Sequence, residues 1–349
     1  MGGVDLSSGL TPDHERVALE QPEGQPTFGE NQAFWVHDEA SGIHINGHLN
    51  TCEDVGAFAQ RIAKLSIIFP DGRTYLVRET GARSGAWTVA SSNLSFECVE
   101  PFARWRCTFD GVLQDITVTR RYLSGQAVDY FRTPVSFELD ARMAAPAWIN
   151  GAFTEGGLGP VKSFMGGERY EQLCRVSGRL SVGGRAYDFS GAGNRTHRVG
   201  RRDLSATPDA PRMLGHVWAA GLFPSGAGFG FQTYPKADGS ILWSEGYVVR
   251  DGALIGAEVL RAPWLRNHWT RGEPLEIVLR TRDGEVFEIS GETVGTFVGE
   301  MLPGLSASDQ VPLFQSYARY TMRGETALNM IERSLRRSCI ETGAGRPAT

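Results

Sequence analysis

The densest group of potentially catalytic residue types lies in the segment Gly191–Asp203, GAGNRTHRVGRRD. The segment contains one histidine, one carboxylate and several arginines, namely His197, Asp203, Arg195, Arg198, Arg201 and Arg202. A histidine near a carboxylate can act as a general acid or base. The same residues could instead form a structural clamp at a domain junction, with Asp203 held by an arginine fork. Spacing alone favours the clamp, and the catalytic interpretation of His197 and Asp203 stays open.

A second candidate for acid chemistry is Glu155, in the glycine-rich stretch 146–167. A lone carboxylate among apolar and glycine residues is a candidate general acid. It could equally be a solvated loop charge. Since a long irregular stretch inside a compact domain is usually functional, we expect residues 146–167 to contribute to a site.

Aromatic side chains could supply the wall of a binding site. Trp218, Tyr234 and Trp243 fall on consecutive predicted strands of the second half, together with Glu245. Most aromatic rings are simply buried in a core. Rings on neighbouring strands can also accept an apolar ligand, and their faces can stabilise a developing carbocation. We therefore predict that these rings line a cavity mouth.

The best-spaced candidates for metal ligands are His44 and His48, on one face of a predicted strand at 42–50. Strand geometry separates their Cβ atoms by roughly 13 Å, which is too far for one zinc ion. The sequence also lacks a C-x-x-C pair, an H-E-x-x-H motif, a Walker loop and a G-x-S-x-G elbow. We therefore expect no metal at these histidines and no nucleotide cofactor.

These residues must be positioned by β-hairpins, because turn signals recur along the chain. Asp-Gly pairs begin at 71, 110, 238, 251 and 283, and Gly-Gly stands at 183–184. Such pairs supply the positive φ angles of hairpin turns. The flanking stretches, for example 131–139 and 275–289, alternate apolar and polar residues as half-buried strands do. A helical pattern appears only at 53–65 and at 326–337, and the second stretch also fits a last strand. The predicted fold class is all-β.

Composition excludes some classes of binding partner. The chain has 349 residues and a formal net charge of -5, without a clustered basic face, which disfavours nucleic acid and anionic membranes as partners. No stretch approaches the roughly 18 apolar residues of a membrane-spanning helix, so stable membrane insertion is not expected. The N-terminal residues lack the features of an export signal, and we expect a cytoplasmic protein. A homodimer is left open.

Several stretches, taken in order, resemble a known family. They are WVHDE at 35–39, FPDGR at 69–73, FDG at 109–111, RYEQ at 169–172 and the run at 191–203. The last is similar to the R-D-H-S-W-G-x-R-D signature of AttH-like, carotenoid-hydratase-like proteins, with Thr196 where the signature has an acidic residue. The resemblance covers roughly residues 30–335. It implies paired lipocalin-type (calycin) β-barrels, no metal or organic cofactor, and hydration, dehydration or cyclisation of isoprenoid or other apolar substrates.

We therefore predict two lipocalin-like antiparallel β-barrel domains packed side by side. The first would span residues 1–190, with an irregular wrap at 1–30, and the second residues 191–349. The predicted function is cofactor-independent acid–base catalysis on a hydrophobic terpenoid or polyketide substrate, by a hydratase, dehydratase, isomerase or cyclase. The alternative is a non-catalytic carrier of an apolar small molecule, which Thr196 in place of an acid would also fit.

The predicted site residues divide by role. Asp203 or Glu155 would be the acid, and His197 the base or an orienting group. The predicted substrate-binding residues are Trp218, Tyr234, Trp243, Trp35 and Tyr170.

Overall fold

The computed structural model describes residues 4–24, 28–51, 57–117, 132–165, 167–200, 214–236, 238–265, 271–301, 311–336 and 339. Nearly all regular structure in these ranges is antiparallel β-strand, which confirms the all-β class. Short helical pieces occur at Pro12–Glu15, Gly159–Val161 and Lys162–Met165. Within the described ranges, no helix has the length and apolar character needed to cross a bilayer.

The strands before residue 200 are β1 (Glu30–Asp38), β2 (His44–Thr51), β3 (Arg61–Ile68), β4 (Thr74–Gly81), β5 (Thr88–Ala90), β6 (Leu94–Glu100), β7 (Arg104–Asp115), β8 (Arg132–Met143), β9 (Trp148–Ile149), β10 (Glu168–Val182) and β11 (Arg185–Val199). Those after residue 214 are β12 (Gly215–Leu222), β13 (Gly228–Pro235), β14 (Ile241–Arg250), β15 (Ala253–Arg261), β16 (Pro274–Thr281), β17 (Val286–Met301), β18 (Pro312–Met322) and β19 (Glu325–Leu335).

The chain divides into two compact units. The first comprises Met1–Ala147 and Gln172–Gly200, and the second Trp148–Glu171 and Arg201–Thr349. This division differs from the boundary predicted near residue 190. Residues 191–199 form the end of β11, because they pair with β1 along the whole register from Asp38 to Glu30.

Eight strands of the first unit close into a barrel. Their neighbour order is β4-β3-β2-β1-β11-β10-β8-β7, and β4 returns to β7 through the pairs Tyr75–Asp115 and Leu76–Gln114. The strands β6 and β5 continue from β7 outside this ring. Alternate residues of each strand form one apolar core, to which β1 contributes Phe34 and Val36.

The second unit contains a closed up-and-down barrel in which β12 to β19 pair in sequence order and β19 returns to β12. Eight strands give a barrel interior that side chains can fill. Val217, Ala219, Phe229 and Phe231 belong to this core, so the intervening residues of β12 and β13 point outwards. The two-barrel prediction is thus confirmed.

Most predicted hairpin turns are found, and one is wrong. Gly72, Gly184, Gly239, Gly252 and Gly284 have the positive φ angles that the Asp-Gly and Gly-Gly pairs predicted. The pair at 110–111 instead lies inside β7, where it pairs with β8. A Cβ atom at position 111 would lie 3.0 Å from the Phe109 ring, so this glycine leaves room for packing. The ambiguous stretch 326–337 forms β19.

Candidate active site

The outer face of the second barrel carries two parallel rows of buried polar and aromatic side chains. Strand register places Trp218 opposite Gln232 and Gln232 opposite Glu245, across β12, β13 and β14. In the next row, Tyr234 lies opposite Trp243. The structure therefore brings together the three rings Trp218, Tyr234 and Trp243, on the consecutive strands that the sequence predicted. All are buried.

The described part of residues 148–171, here named the covering segment, packs against this face. Its anchor is Glu245, whose two carboxylate oxygens accept four hydrogen bonds from the segment. Trp148 Nε1 (2.7 Å) and the Gly151 N–H (2.8 Å) donate to Oε1, and the Phe153 N–H (3.0 Å) and Thr154 Oγ1 (2.6 Å) donate to Oε2. A carboxylate has about four lone-pair sites, so Glu245 is fully used in holding the segment.

A second buried carboxylate, Glu171, comes from the covering segment itself. Its oxygens accept hydrogen bonds from Trp218 Nε1 at 2.8 Å and Gln232 Nε2 at 2.5 Å. Arg169 Nη2 lies 3.0 Å from Oε1 and completes an ion pair. The Arg169 guanidinium carbon also lies 4.4 Å from the centre of the Trp218 ring. These contacts fix the orientation of one predicted ring by charge-assisted hydrogen bonds.

The polar contacts continue from Glu171 through Gln232 to the Tyr234 ring. Gln232 Oε1 accepts a hydrogen bond from the Tyr234 hydroxyl at 2.9 Å. That hydroxyl also lies 2.9 Å from Met165 Sδ in the covering segment. Nearby, burial first and the charge of Glu171 second raise the pKa of Tyr247 well above its ordinary value. The Tyr247 phenol therefore stays protonated to a higher pH than an exposed tyrosine would.

The same face carries an imidazole, His216, at the start of β12. Its Nδ1 lies 2.6 Å from Ser334 Oγ, and its Nε2 lies 3.0 Å from Glu332 Oε1. The backbone N–H of His216 also donates to Ser334 Oγ at 3.0 Å. The Ser334 hydroxyl hydrogen can therefore point to Nδ1, which leaves Nε2 to donate to Glu332. The ring stacks 5.7 Å from that of Tyr234.

Sequence reasoning missed His216, Glu332 and Glu171. Alternation contained a usable signal, because His216 and Trp218 share one face of β12, and Arg169 and Glu171 share one face of β10. The partners of His216 lie more than 110 positions away along the chain, at separations of 116 and 118 residues. Only the closure of β19 on β12 brings them together.

The predicted catalytic residue His197 lies in the first unit. Its Nε2 lies 2.8 Å from Glu30 Oε1, and Arg61 lies 3.6 Å from the other oxygen of Glu30. Burial would raise the pKa of Glu30, but the hydrogen bond and charge of His197, with the charge of Arg61, lower it below its usual value. His197 is thus part of a buried charge cluster centred on Glu30, whereas the clamp favoured from sequence was centred on Asp203.

A second buried ion pair involves Arg195, which lies on β11 as His197 does. Arg195 makes two hydrogen bonds to Glu15, with 2.9 Å between Nη1 and Oε1, and its guanidinium carbon lies 4.0 Å from the centre of the Trp105 ring. The predicted clamp had Asp203 in an arginine fork, whereas the carboxylate that Arg195 holds is Glu15. Asp203 lies outside the described residues.

The other predicted residues are separate from these groups. Glu155 is exposed on the covering segment, so the apolar surroundings that favoured an acid role are not found there. Tyr170 is buried, but alternation puts it on the opposite face of β10 from Glu171. Trp35 is buried in the first unit, with its ring 5.8 Å from those of both His44 and His48.

Two further features of the described residues bear on the choice of site. They contain no group of three or more histidines, cysteines and carboxylates placed to hold a metal ion. A groove of about 710 Å³ in the first unit is lined partly by Arg83, Asp110, Glu138 and Arg179. None of the predicted site residues lines that groove.

Comparison with known proteins shows the fold. The family model described as "Domain of unknown function (DUF7064)" matches residues 12–335. No curated protein matches the chain significantly. A solved structure of a putative AttH from Nitrosomonas europaea is similar at 12% identity with a TM-score of 0.53, over 88% of this chain and 92% of that one.

Two further solved structures are similar. CghA with Sch210972 aligns at 11% identity and a TM-score of 0.52, over 89% of each chain. Kievitone hydratase from Nectria haematococca aligns at 9% identity and a TM-score of 0.50, over 88% of this chain and 89% of that one. The predicted resemblance to AttH-like two-barrel proteins is confirmed at the level of the fold.

Proposed function

Because the chain belongs to the DUF7064 family, whose description assigns no activity, we propose a function from the second barrel: acid–base catalysis of hydratase or cyclase type on a hydrophobic small molecule. The substrate class that fits the rings best is a terpenoid or polyketide with a carbon–carbon double bond. Proton transfers supply the chemistry, so the proposed reaction uses no cofactor. The fold shared with kievitone hydratase supports the hydratase type of reaction.

The observation that carries the proposal is the buried set Ser334–His216–Glu332 beside the Tyr234 ring. An imidazole that takes up a proton at Nδ1 becomes a cation, and Glu332 at 3.0 Å stabilises that charge. His216 can then deliver the proton through the Ser334 hydroxyl, which lies 2.6 Å from Nδ1. In hydration, one alkene carbon receives this proton, water adds to the other, and the proton lost by that water returns to His216.

The aromatic side chains have a separate role in this reaction. Protonation of an alkene leaves a carbocation, and the faces of Trp218, Tyr234 and Trp243 can stabilise it. Burial makes that stabilisation stronger than it would be in water. Glu171 acts as a positioning residue, because it holds the Trp218 indole and Gln232, and Gln232 in turn holds the Tyr234 hydroxyl.

A carrier of an apolar molecule is the second candidate. It is favoured by the occupation of the signature residues Arg195 and His197 in buried pairs with Glu15 and Glu30. It is also favoured by Thr196 in place of an acidic residue. A carrier would bind the ligand and transfer no proton to it.

The experiment that separates these functions follows solvent deuterium into carbon. Purified full-length protein is incubated in D₂O with unsaturated terpenoid alcohols and ketones, and products and recovered substrates are analysed by mass spectrometry. We expect deuterium at carbon in the presence of the wild type and a loss of about 100-fold or more in His216→Gln. Retention of unchanged, undeuterated ligand across the panel would favour the carrier.

The same assay separates His216 from the residues predicted from sequence. His197→Gln, Asp203→Asn and Glu155→Gln are compared with His216→Gln at equal folded concentration. Full activity of His216→Gln with loss in His197→Gln would move the proposed chemistry to the first unit. Full activity of His216→Gln with loss in Asp203→Asn or Glu155→Gln would move it away from His216.

A further inference from the structure

The covering segment contains a buried amide that the proposed mechanism does not use. Asn150 is 6% exposed, and both Oδ1 and Nδ2 of its side chain lack a hydrogen-bond partner. Buried polar atoms are nearly always hydrogen-bonded, so two orphaned atoms on one side chain call for a specific explanation. The cost of leaving such a group unsatisfied is about 1–3 kcal/mol.

A third orphaned atom lies on the neighbouring residue across the strand pair. The N–H of Asn150 donates to the backbone oxygen of Arg169 at 3.0 Å, which extends the β9–β10 register by one pair. Directly opposed residues in an antiparallel pair share a face, with their Cβ atoms about 5 Å apart. Arg169 is 7% exposed, and its Nε also lacks a partner.

This face of the covering segment is the one that contacts the proposed site. Arg169 stacks on the Trp218 ring at 4.4 Å and pairs with Glu171 at 3.0 Å. Two N–H donors without an acceptor, Arg169 Nε and Asn150 Nδ2, therefore belong to opposed residues on one face of the strand pair, and Arg169 also contacts the Trp218 ring. Two donors on one face can be satisfied together by one oxygen atom.

From this geometry we infer that the site takes an oxygenated hydrophobe, whose neutral carbonyl oxygen is held by Asn150 and Arg169. The charge of Arg169 is already balanced by Glu171. A carboxylate ligand would therefore add an uncompensated negative charge to a buried site, which is costly. A hydrocarbon would leave the donors unsatisfied. The inference rests on the proposed function and names the substrate class for the same site.

The test measures binding of three bicyclic probes of similar shape to the full-length protein by titration calorimetry: α-tetralone, tetralin and tetralin-1-carboxylate. We expect the ketone to bind about tenfold more tightly than the hydrocarbon, as for one or two net hydrogen bonds. The carboxylate should bind no more tightly than the hydrocarbon. Absence of ketone binding, equal affinity for ketone and hydrocarbon, or tighter binding of the carboxylate would overturn the inference.

Variants then assign the preference to residues. In Asn150→Ala the ketone-to-hydrocarbon ratio should fall below about threefold, while affinity for tetralin stays the same. Asn46→Ala is the matched control, since Asn46 is 2% exposed in the first unit and its Oδ1 also lacks a partner. That variant should keep the full ratio. An unchanged ratio in Asn150→Ala, or an equal fall in Asn46→Ala, would refute the assignment.

Stability distinguishes a ligand-binding amide from a structural one. Asn150→Leu removes the orphaned atoms at similar volume, so its melting temperature should equal or exceed that of the wild type. A fall of more than about 5 °C would show that the amide stabilises the fold and would count against the inference. Ketone preference without deuterium transfer refutes only the proposed function, whereas deuterium transfer without ketone preference refutes only this inference.

Discussion

His216 and Ser334 lie directly opposite each other on β12 and β19, with Nδ1 and Oγ 2.6 Å apart. The same hydroxyl oxygen accepts the backbone N–H of His216 at 3.0 Å. One serine oxygen thus contacts both the backbone N–H and the imidazole Nδ1 of His216, while Nε2 faces Glu332. This closure pair of the second barrel is also the centre of the proposed chemistry.

Removal of the charge on Glu332 tests the acid–base role of His216. Glu332→Gln keeps the shape of the side chain but no longer stabilises an imidazolium, so we expect the rate of deuterium transfer to fall by about 100-fold. Gln315→Ala serves as a control for packing, because Gln315 only donates to the other oxygen of Glu332 at 3.1 Å. A larger loss in Gln315→Ala than in Glu332→Gln would contradict the role of the carboxylate.

The anchor of the covering segment should be important for stability. Glu245→Ala leaves four donors without their acceptor, so the free energy of unfolding should fall by about 3–5 kcal/mol. Urea unfolding measures this change, and limited proteolysis within 150–165 should become faster. Glu155→Ala, an exposed carboxylate on the same segment, should change stability by less than about 0.5 kcal/mol. Equal effects of the two variants would show that Glu245 is no anchor.

The Glu15–Arg195 pair should show strong coupling. Glu15→Gln and Arg195→Met each leave a buried charge without its partner, so each should cost about 3–5 kcal/mol of unfolding free energy. The double variant should cost much less than their sum. The exposed pair Arg179–Asp188 is the control, and Asp188→Asn should have almost no effect. Additive single effects at Glu15 and Arg195 would argue against the pair.

Two buried histidines predict a pH dependence of stability. Burial lowers the pKa of His44 to about 3, and burial together with His44 lowers the pKa of His37 well below its usual value. In the unfolded chain both imidazoles have a pKa near 6.5. Below that pH the unfolded state binds more protons than the folded state, so stability decreases as pH falls from 6.5 towards 3.

Urea unfolding between pH 4.5 and 7.5 measures how steeply the free energy of unfolding depends on pH. Each neutral histidine contributes about 1.4 kcal/mol per pH unit. His44→Gln should reduce the slope of the unfolding free energy against pH by the contribution of one histidine, about 1.4 kcal/mol per pH unit. Glu30 adds to acid sensitivity at lower pH, since its lowered pKa gives stability above its unfolded pKa that is lost as pH falls through the folded value. An unchanged slope in His44→Gln would show that His44 is not neutral in the fold.

Strand periodicity and turn chemistry are local, and they therefore predicted the all-β class and the rings on β12 to β14. The same alternation predicted that Trp218, Tyr234 and Trp243 lie near one another, because consecutive strands of a meander pair. The pair Asp110-Gly111 shows the limit of local signals. Its turn chemistry was overridden by pairing with β8 and by the space that Phe109 needs.

Contacts between distant parts of the chain depended on tertiary structure. Sequence spacing favoured a clamp around His197 but did not identify the carboxylates that pair there. Glu15 lies 180 positions from its partner Arg195, and Glu30 lies 167 positions from its partner His197. It also suggested Glu155, whereas the buried carboxylate of the covering segment is Glu171. Burial and pairing of charged groups are set by barrel closure, and neither is encoded in the residues next to them.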